Sequence, residues 1–232
     1  GVGVAMPGPL DHRTGVPHRV TGYPEWDGFP LRDALAERLG GGPSGGPSGG
    51  PSERLSVVLD KDTNAAALGF AVRGGAGRGT EDSFAYLHVG TGLGAGLVLG
   101  GVLLRGARTG AGEFGHQVVR LDGAVCGCGA RGCLEALCLD AVRRGDLAEA
   151  GRVLGVGAAN LVGLLDIDRV LLGGRVVDAA PEPFVRGVGA VLAERARRTG
   201  EAAPVPVALA DGTPHLVAEG AAQLVLAPFF GL

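Results

Sequence analysis

Lysine, aromatic residues and long apolar runs are all scarce in this 232-residue chain. Lys61 is the single lysine among 21 basic residues, the arginines are scattered along the sequence, and the formal charge is −3. Because nucleic-acid binding needs clustered positive charge, these features exclude a DNA-binding surface within this chain. Any contact with DNA is expected from a domain upstream of Gly1.

The sequence has no run of about 18 apolar residues, the length that a membrane-spanning helix needs. Its first residues also lack the basic and then apolar pattern of a secretory signal. We therefore expect a cytoplasmic protein with no membrane partner. An apolar strand pattern opens the chain with no start methionine before it, which predicts that the chain begins within a domain.

Glycine is abundant, with 45 residues, but it follows no G-X-Y period, so a collagen-like fibre is excluded. Hydrophobic residues make up 46% of the chain, which suits one large or two small globular domains. Strand patterns such as LSVVL, SFAYLHV, GLVLGGVLL and RVLLGG alternate with segments of helical spacing. This alternation predicts an α/β fold.

Glycine-rich stretches divide the chain. Residues 41–52 repeat GGPS three times, which predicts a mobile loop. A later glycine-rich stretch places the expected boundary between a first domain, residues 1–78, and a second, residues 79–232. Residues 213–232 are expected to pack back on the first domain. Helices are predicted around residues 31–39, 134–154, 158–165, 184–198 and 216–226.

The four cysteines lie close together and form the sharpest motif in the sequence. Cys126, Cys128 and Cys133 follow His116, and one imidazole with three thiolates fills a tetrahedral zinc site completely. Such a site is structural because no coordination position is open for water. Metal-free thiols or a disulfide are the alternative interpretations. Cys138 lies on an apolar helix and is predicted to be a small buried side chain.

A glycine-rich loop, residues 90–96, directly follows a predicted strand. Backbone N–H groups of such a loop can converge on an anion such as a nucleotide phosphate. The residues after it have a strand pattern, which argues against Rossmann and P-loop arrangements. A glycine-rich hairpin with a purely structural role is the alternative.

Carboxylates stand beside these motifs. Asp62 follows a predicted strand, with Asn64 two residues later, and Glu113 and Glu135 flank the candidate metal ligands. At strand and loop ends, a carboxylate can accept a hydrogen bond from a sugar hydroxyl or remove its proton during attack on a phosphate. Each of them can equally be a helix cap or a solvated charge.

The motifs GVGVAMPGPL, PEWDGFPLRDAL, DKDTNAAAL, GTGLGAG, AGEFGH, CGCGARGCLE and VLLGG together resemble the ROK family of bacterial repressors and sugar kinases. The resemblance implies the actin-like ATPase, ribonuclease-H-like fold with two lobes and a zinc-stapled loop in the second lobe. The family pattern opens with a strand and a D-x-G-x-T phosphate loop, which are absent, so the first lobe is expected to be incomplete. A homodimer or higher homo-oligomer is expected from the family alone.

The resemblance also implies roles for individual residues. Asp62 would be the catalytic base, with Mg-ATP as the phosphoryl donor if the protein is a kinase. The sugar-binding residues would be Asn64, Glu113, His116 and Glu135. The nucleotide-binding residues would be Gly90, Thr91, Gly92, Gly94, Gly173 and Gly174. The ligands of the structural zinc ion would be His116, Cys126, Cys128 and Cys133.

Three positions depart from the family pattern. Gly22 stands where a sugar-contacting asparagine is usual, Lys61 where an asparagine often precedes the aspartate, and Phe70 where a glutamate is common. The likeness of AGEFGHQVVRLDGAVCGCGARGCLEAL and HLVAEGAAQLVL to the regulator branch, together with Gly22, favours the sugar-sensing, kinase-like effector domain of a transcriptional regulator. The second hypothesis is an ATP-dependent hexose kinase that lacks its phosphate loop. The third is a zinc-stapled interaction domain with no ligand.

Overall fold

A computed structural model of the chain describes residues 1–20, 22–40, 55–74, 82–211 and 215–230. These residues form two compact units. Unit 1 comprises Gly1–Arg73, Arg105–Gly110 and Gly212–Leu232, and unit 2 comprises Gly74–Leu104 and Ala111–Asp211. The GGPS loop predicted at 41–52 and the domain boundary predicted after residue 78 lie outside the described residues.

The elements alternate between strand and helix, as the sequence pattern predicts. The first are β1 (Val2–Met6), β2 (Leu10–Asp11), β3 (Val16–Pro17), a 3₁₀ turn (Pro24–Trp26), α1 (Leu31–Gly40), β4 (Val57–Lys61) and α2 (Asp62–Gly74). Then come β5 (Phe84–Val89), β6 (Leu93–Leu99), β7 (Val102–Leu103), a 3₁₀ turn (Phe114–His116), α3 (Leu134–Arg143) and α4 (Leu147–Leu165). The last are β8 (Arg169–Gly173), α5 (Arg175–Ala179), α6 (Pro181–Thr199), β9 (Val207–Leu209) and α7 (Leu216–Phe230).

Unit 1 is built on two parallel strands. β1 and β4 pair in register from Val2 opposite Val57 to Met6 opposite Lys61. Apolar side chains of both strands pack with Leu10 and Val20 into a buried core. The near-continuous apolar composition of the two strands fits this parallel pairing. β4 carries its charged end, Asp60 and Lys61, into the interior of unit 1.

The helix predicted at 31–39 is confirmed as α1, but its apolar stripe is only partly used. Leu31 and Leu35 pack against the core of unit 1, whereas Leu39 is 48% exposed. The segment from Pro7 onward contains the short antiparallel pair β2 and β3. Leu10 opposite Pro17 closes that pair.

Helix α7 lies against β1 and α2 through two glycines. A Cβ atom added to Gly220 would fall 1.7 Å from the carbonyl oxygen of Ala65 in α2. One added to Gly3 would fall 1.8 Å from the carbonyl oxygen of Ala221 in α7. Only a residue without a side chain permits backbones to approach this closely. The last helix is therefore packed into unit 1 rather than laid over its surface.

Unit 2 contains a five-stranded mixed sheet in the order β7, β6, β5, β8, β9. The pairs of β8 with β5 and β9 are parallel, and the pairs of β6 with β5 and β7 are antiparallel. Helices α3, α4 and α6 bury their apolar faces in one continuous core with β5 and β8. The segment GLVLGGVLL, which has the pattern of a single strand, folds instead as the hairpin of β6 and β7. Its turn is made by Gly100 and Gly101, both with positive φ.

The helix predicted over 134–154 is two helices, because the chain breaks between Arg143 and Leu147. Gly145 adopts a φ of +76°, and the Asp146 side chain accepts a hydrogen bond from the backbone N–H of Glu149 at 3.0 Å. This is an N-cap, and it starts a new helix. The helix predicted at 158–165 is accordingly the second half of α4.

Helix α4 is long and apolar enough to cross a membrane by length and composition, with a mean hydropathy of 1.2. Of that stretch, 44% is buried within the structure, where α4 packs on α3 and α6. Core helices pass the same test of length and composition, so the finding is weak evidence for a membrane span.

Candidate functional site

The cysteine motif of unit 2 gathers four potential metal ligands at one place. One ligand atom each from His116, Cys126, Cys128 and Cys133 lies within 4.8 Å of the other three. The sulfur atoms of Cys128 and Cys133 are 3.7 Å apart, and Nδ1 of His116 is 3.8 Å from the sulfur of Cys126. A tetrahedral zinc ion with bonds of about 2.3 Å to sulfur needs sulfur atoms about 3.8 Å apart. The donor set and its spacing therefore fit such an ion.

All four cysteines are free thiols in the described part of the chain, which contradicts the disulfide alternative. Burial raises the pKa of the Cys133 thiol to about 12 and also raises that of Cys126. A hydrogen bond from the backbone of Ala130 lowers the pKa of the exposed Cys128 thiol. Thiolates this close to one another would repel, so three of them would be compatible only with a bound cation.

Tight turns give the metal-ligand loop its shape. Val118 pairs with Cys133 and Val125 with Arg131 as isolated bridges. Gly132 has a φ of +68°, and a Cβ atom there would fall 1.5 Å from the carbonyl oxygen of Arg120. The loop can fold back on itself only because residue 132 is glycine.

Cys138 is separate from this cluster, as its position on an apolar helix predicts. It lies in α3 with 0% exposure, and its thiol donates to the carbonyl oxygen of Ala150 at 3.6 Å. Burial raises its pKa to about 12. Cys138 is therefore a neutral core residue.

Glu135 and the turn that carries Glu113 and His116 pack side by side. Glu113 precedes the 3₁₀ turn that ends at His116. A Cβ atom added to Gly115 in that turn would lie 3.1 Å from the Cβ atom of Glu135. One oxygen of Glu135 accepts from the backbone N–H of Leu93 at 2.9 Å, and the other is 3.8 Å from the sulfur of Cys126. Of the predicted sugar-binding residues, His116 is thus part of the metal-ligand cluster, Glu135 lies beside it, and Glu113 precedes the turn that carries His116.

The two glycine segments predicted to bind nucleotide lie at the carboxyl ends of two neighbouring strands. β5 and β8 are parallel neighbours, with His88 opposite Gly173. Their carboxyl ends are therefore followed by Gly90–Gly92 and by Gly173–Gly174 side by side. The guanidinium of Arg175 donates to the hydroxyl of Thr91 at 3.2 Å and joins the two segments.

The glycine loop is shorter than residues 90–96. Only Gly90–Gly92 form the turn, and Gly94 lies within β6 opposite His88. The segment is thus a β-hairpin, the arrangement given above as the structural alternative. A Cβ atom at Gly90 would lie 2.8 Å from Nε2 of His88, and one at Gly174 would lie 2.9 Å from Cε1 of the same ring. The His88 ring thus lies against Gly90, while Gly174 is required by its φ of +97° and by the carbonyl oxygen of Val89, which would lie 2.6 Å from a Cβ atom there.

Asp62 and Asn64 share the first turn of α2 in unit 1. Asp62 is half-buried, and its Oδ1 accepts from the backbone N–H of Thr63 at 2.7 Å. Asn64 is fully buried, and its Nδ2 donates to Oδ1 of Asp60 at 2.7 Å. The Oδ1 atom of Asn64 has no hydrogen-bond partner among the described residues. A buried acceptor of this kind is uncommon in proteins and points to a ligand or water contact.

Two charged residues lie beside this turn, and the first of them, Asp60, was not singled out from the sequence. Asp60, near the end of β4, is 1% exposed, and its Oδ2 accepts from Nε of Arg105 at 2.6 Å. Lys61 is buried as well, at 3% exposure. Charges at the end of an otherwise apolar strand were the available signal, because charged residues are seldom buried without partners.

Comparison with known proteins identifies the family. The ROK family model matches residues 1–145, more than half of the chain. The chain belongs to the ROK family. The family resemblance of its motifs is thereby confirmed.

Both kinases and repressors are among its ROK relatives. The chain is 41% identical over 145 residues to a glucokinase of Thermotoga maritima, covering 62% of this chain and 40% of that protein. It is 32% identical over 237 aligned positions to a kanosamine kinase of Amycolatopsis mediterranei, covering 89% and 70%. It is 33% identical over 135 residues to a xylose repressor of Caldicellulosiruptor bescii, covering 58% and 30%. The chain thus matches less than half the length of the glucokinase and the repressor.

Solved structures of ROK kinases share its architecture. The ROK hexokinase from Thermus thermophilus superposes with a TM-score of 0.73 at 32% identity, covering 99% of this chain and 80% of that one. A ROK glucokinase from Streptomyces griseus, in complex with glucose and AMPPNP, gives 0.72 at 28% identity, covering 96% and 80%. The predicted α/β, actin-like fold class is confirmed at the level of the family.

Proposed function

We propose that this chain binds a sugar and is the kinase-like effector domain of a ROK transcriptional regulator. The first turn of α2 carries the proposal. It presents the half-buried carboxylate of Asp62 and the unsatisfied amide oxygen of Asn64, both of which can accept a hydrogen bond from a sugar hydroxyl. The family resemblance also implies sugar-binding roles for Glu113, His116 and Glu135, and we propose them in those roles.

The regulator assignment is supported by positions where sugar-contacting amides are missing. Gly22 offers no side chain, and its φ of +86° suits glycine. Lys61 replaces an amide beside Asp62 with a buried ammonium group. A regulator needs only to bind the sugar, so fewer hydrogen bonds are enough. Phosphoryl transfer also requires the reacting hydroxyl to be held in a defined position. DNA would be bound through a helix-turn-helix segment upstream of Gly1.

We propose that His116, Cys126, Cys128 and Cys133 hold a structural zinc ion. With four protein ligands it would leave no position for substrate. Its contribution would be to fix the loop next to Glu113 and Glu135, since both flank the cluster. The ligand spacing given above is what supports this proposal.

A hexose kinase is the second candidate, because Asp62 and the glycine segments Gly90–Gly92 and Gly173–Gly174 are all present. Mg-ATP would supply the phosphoryl group. Asp62 would accept the proton of the attacking hydroxyl. Backbone N–H groups of Gly90–Gly92 and the segment Gly173–Gly174 would face the nucleotide, with Gly94 next to them in β6. The likeness to kanosamine kinase over 89% of the chain favours this candidate.

Calorimetry and an ADP-release assay on the same preparation test the proposal. Glucose and other hexoses are titrated into the full chain, and ADP formation from Mg-ATP is then measured with each sugar that binds. Sugar binding without ADP formation is expected for the regulator and equally for a kinase that lacks its phosphate loop, so only ADP formation decides between them. ADP formation that depends on sugar and disappears in Asp62→Asn supports the kinase. Absence of sugar binding at millimolar concentration contradicts both and leaves a zinc-containing interaction domain.

A further inference from the structure

Asp60 is the most enclosed charged side chain near the proposed sugar site. Its carboxylate is 1% exposed and accepts three hydrogen bonds, all within unit 1. Oδ1 accepts from the backbone N–H of Lys61 at 2.8 Å and from Nδ2 of Asn64 at 2.7 Å. Oδ2 accepts from Nε of Arg105 at 2.6 Å. A buried carboxylate persists only when charge and hydrogen bonds compensate its lost hydration, and Arg105 supplies the charge.

The charge of Asp60 decides which way the amide of Asn64 points. An ionised carboxylate can only accept hydrogen bonds, whereas an amide has a donor end and an acceptor end. The NH₂ group of Asn64 must therefore face Asp60, since the opposite orientation would set two acceptors against each other. The carbonyl oxygen is left as the free end. It is this atom, Oδ1 of Asn64, that lacks a hydrogen-bond partner among the described residues.

Arg105 is itself held in unit 1. It begins the segment Arg105–Gly110, which belongs to unit 1 although the residues on both sides belong to unit 2. At the other end of that segment, the hydroxyl of Thr109 lies 2.6 Å from Nδ1 of His12. The backbone N–H of His12 also donates to that hydroxyl, at 3.2 Å. The contacts of Thr109 with His12 therefore hold the far end of the segment that carries Arg105. Burial and the nearby Arg105 charge lower the pKa of His12, which favours its neutral ring.

We infer that Asp60 is a positioning residue that holds the Asn64 amide with its oxygen presented as an acceptor for one hydroxyl of the bound sugar. The inference rests on the proposed sugar-binding function and adds to it the direction of one hydrogen bond. The sugar hydroxyl must act as donor, and Asn64 as acceptor. Asp60 itself does not touch the sugar.

Deoxyfluoro sugars test this direction, because fluorine can replace a hydroxyl in size but cannot donate a hydrogen bond. Calorimetry measures the affinity of the full chain for glucose and for its 2-, 3-, 4- and 6-deoxyfluoro analogues. For the wild type, we expect the analogue fluorinated at the hydroxyl that Asn64 accepts to bind about tenfold more weakly than glucose, the loss of one hydrogen bond to a buried acceptor. In Asp60→Asn, that discrimination should fall below about twofold, because a neutral amide at position 60 allows Asn64 to turn over.

A second variant keeps the test independent of how well Asp60→Asn folds. Asn64→Ala removes the acceptor itself and should also abolish the discrimination, while melting curves record the stability of each variant. Asp82→Asn is the matched control. It makes the same chemical change in a carboxylate that pairs with Arg169 in unit 2, and it should keep the tenfold discrimination.

The results separate the inference from the proposed function. If the wild type binds glucose but tolerates fluorine at every position, or if both variants keep the discrimination, the inference is wrong and sugar binding stands. If the wild type binds no sugar, the proposed function fails and the inference with it. A loss of thermal stability in Asp60→Asn with unchanged discrimination would reduce Asp60 to a structural residue and so overturn the inference.

Discussion

The carboxylate of Glu135 accepts a hydrogen bond from the backbone N–H of Leu93 at 2.9 Å. Through this bond, the helix that follows the metal-ligand loop is tied to the first residue of β6, next to the glycine turn. Glu135 thus has a structural contact in addition to its proposed contact with sugar. Changes at this residue are expected to affect stability as well as binding.

Replacing Glu135 with Ala should destabilise unit 2 by about 1.5–3 kcal/mol, the range for a lost hydrogen bond to a charged group. Glu135→Gln keeps an oxygen acceptor and should cost less than about 1 kcal/mol. Urea unfolding measures both values, and hydrogen exchange at the Leu93 amide should accelerate in the Ala variant only. Equal losses for the two variants would mean that the contact with Leu93 contributes little.

Cys128→Ser should remove the metal. We expect about one zinc ion per chain in the wild type and close to none in the variant, with a melting temperature lower by at least about 5 °C. Elemental analysis and thermal melts measure the two effects. Cys138→Ala is the control, because Cys138 lies in the core away from the cluster, and it should retain zinc. A wild-type protein purified without zinc, yet unchanged when zinc is added, would contradict the metal site.

Asp62→Asn distinguishes a base from a binding group. If the protein phosphorylates sugar, the variant should lose about 10²–10⁴-fold in turnover, the contribution of a general base. Its affinity for the sugar should change by less than about threefold, because the amide oxygen still accepts a hydrogen bond. An ADP-release assay and calorimetry supply the two numbers. Asp140→Asn on the exposed face of α3 is the control and should leave both unchanged. Full turnover in Asp62→Asn would exclude Asp62 as the base.

Gly220→Ala should destabilise unit 1 by about 3 kcal/mol or more, since its methyl group would collide with the backbone of α2. Gly189→Ala in α6 is the matched control, because no described atom lies within 4 Å of the position that its Cβ atom would take. That change should stabilise the protein by up to about 1 kcal/mol, the usual gain in a helix interior. Chemical unfolding measures both. An unchanged free energy of unfolding in Gly220→Ala would contradict the close packing of α7.

The α/β class, the strand SFAYLHV and helices α1, α6 and α7 follow directly from apolar spacing. The break between α3 and α4 does not, because leucines at helical spacing run across it. It depends on Gly145 and on the cap that Asp146 forms, and these are weaker signals than apolar periodicity. The hairpin of β6 and β7 was missed for the same reason. Its two-glycine turn lies inside a continuous apolar run.

Part of the candidate site could likewise be predicted from the sequence, and part could not. The metal-ligand cluster was predicted because its four residues are close in sequence and of a restricted chemical type. The Asp60–Arg105 pair joins positions 45 residues apart. Nothing in either local sequence specifies the other partner, so only the folded chain reveals that Asp60 orients Asn64.

The packing of α7 into unit 1 has a consequence for synthesis. Translation delivers β1 and β4 before unit 2, yet the helix that packs on them emerges only after all of unit 2. The nascent chain therefore exposes the apolar surface of these two strands until α7 has been synthesised, while unit 2 can fold first. Ribosome-bound intermediates that end before residue 215 are the species on which we expect chaperones to act.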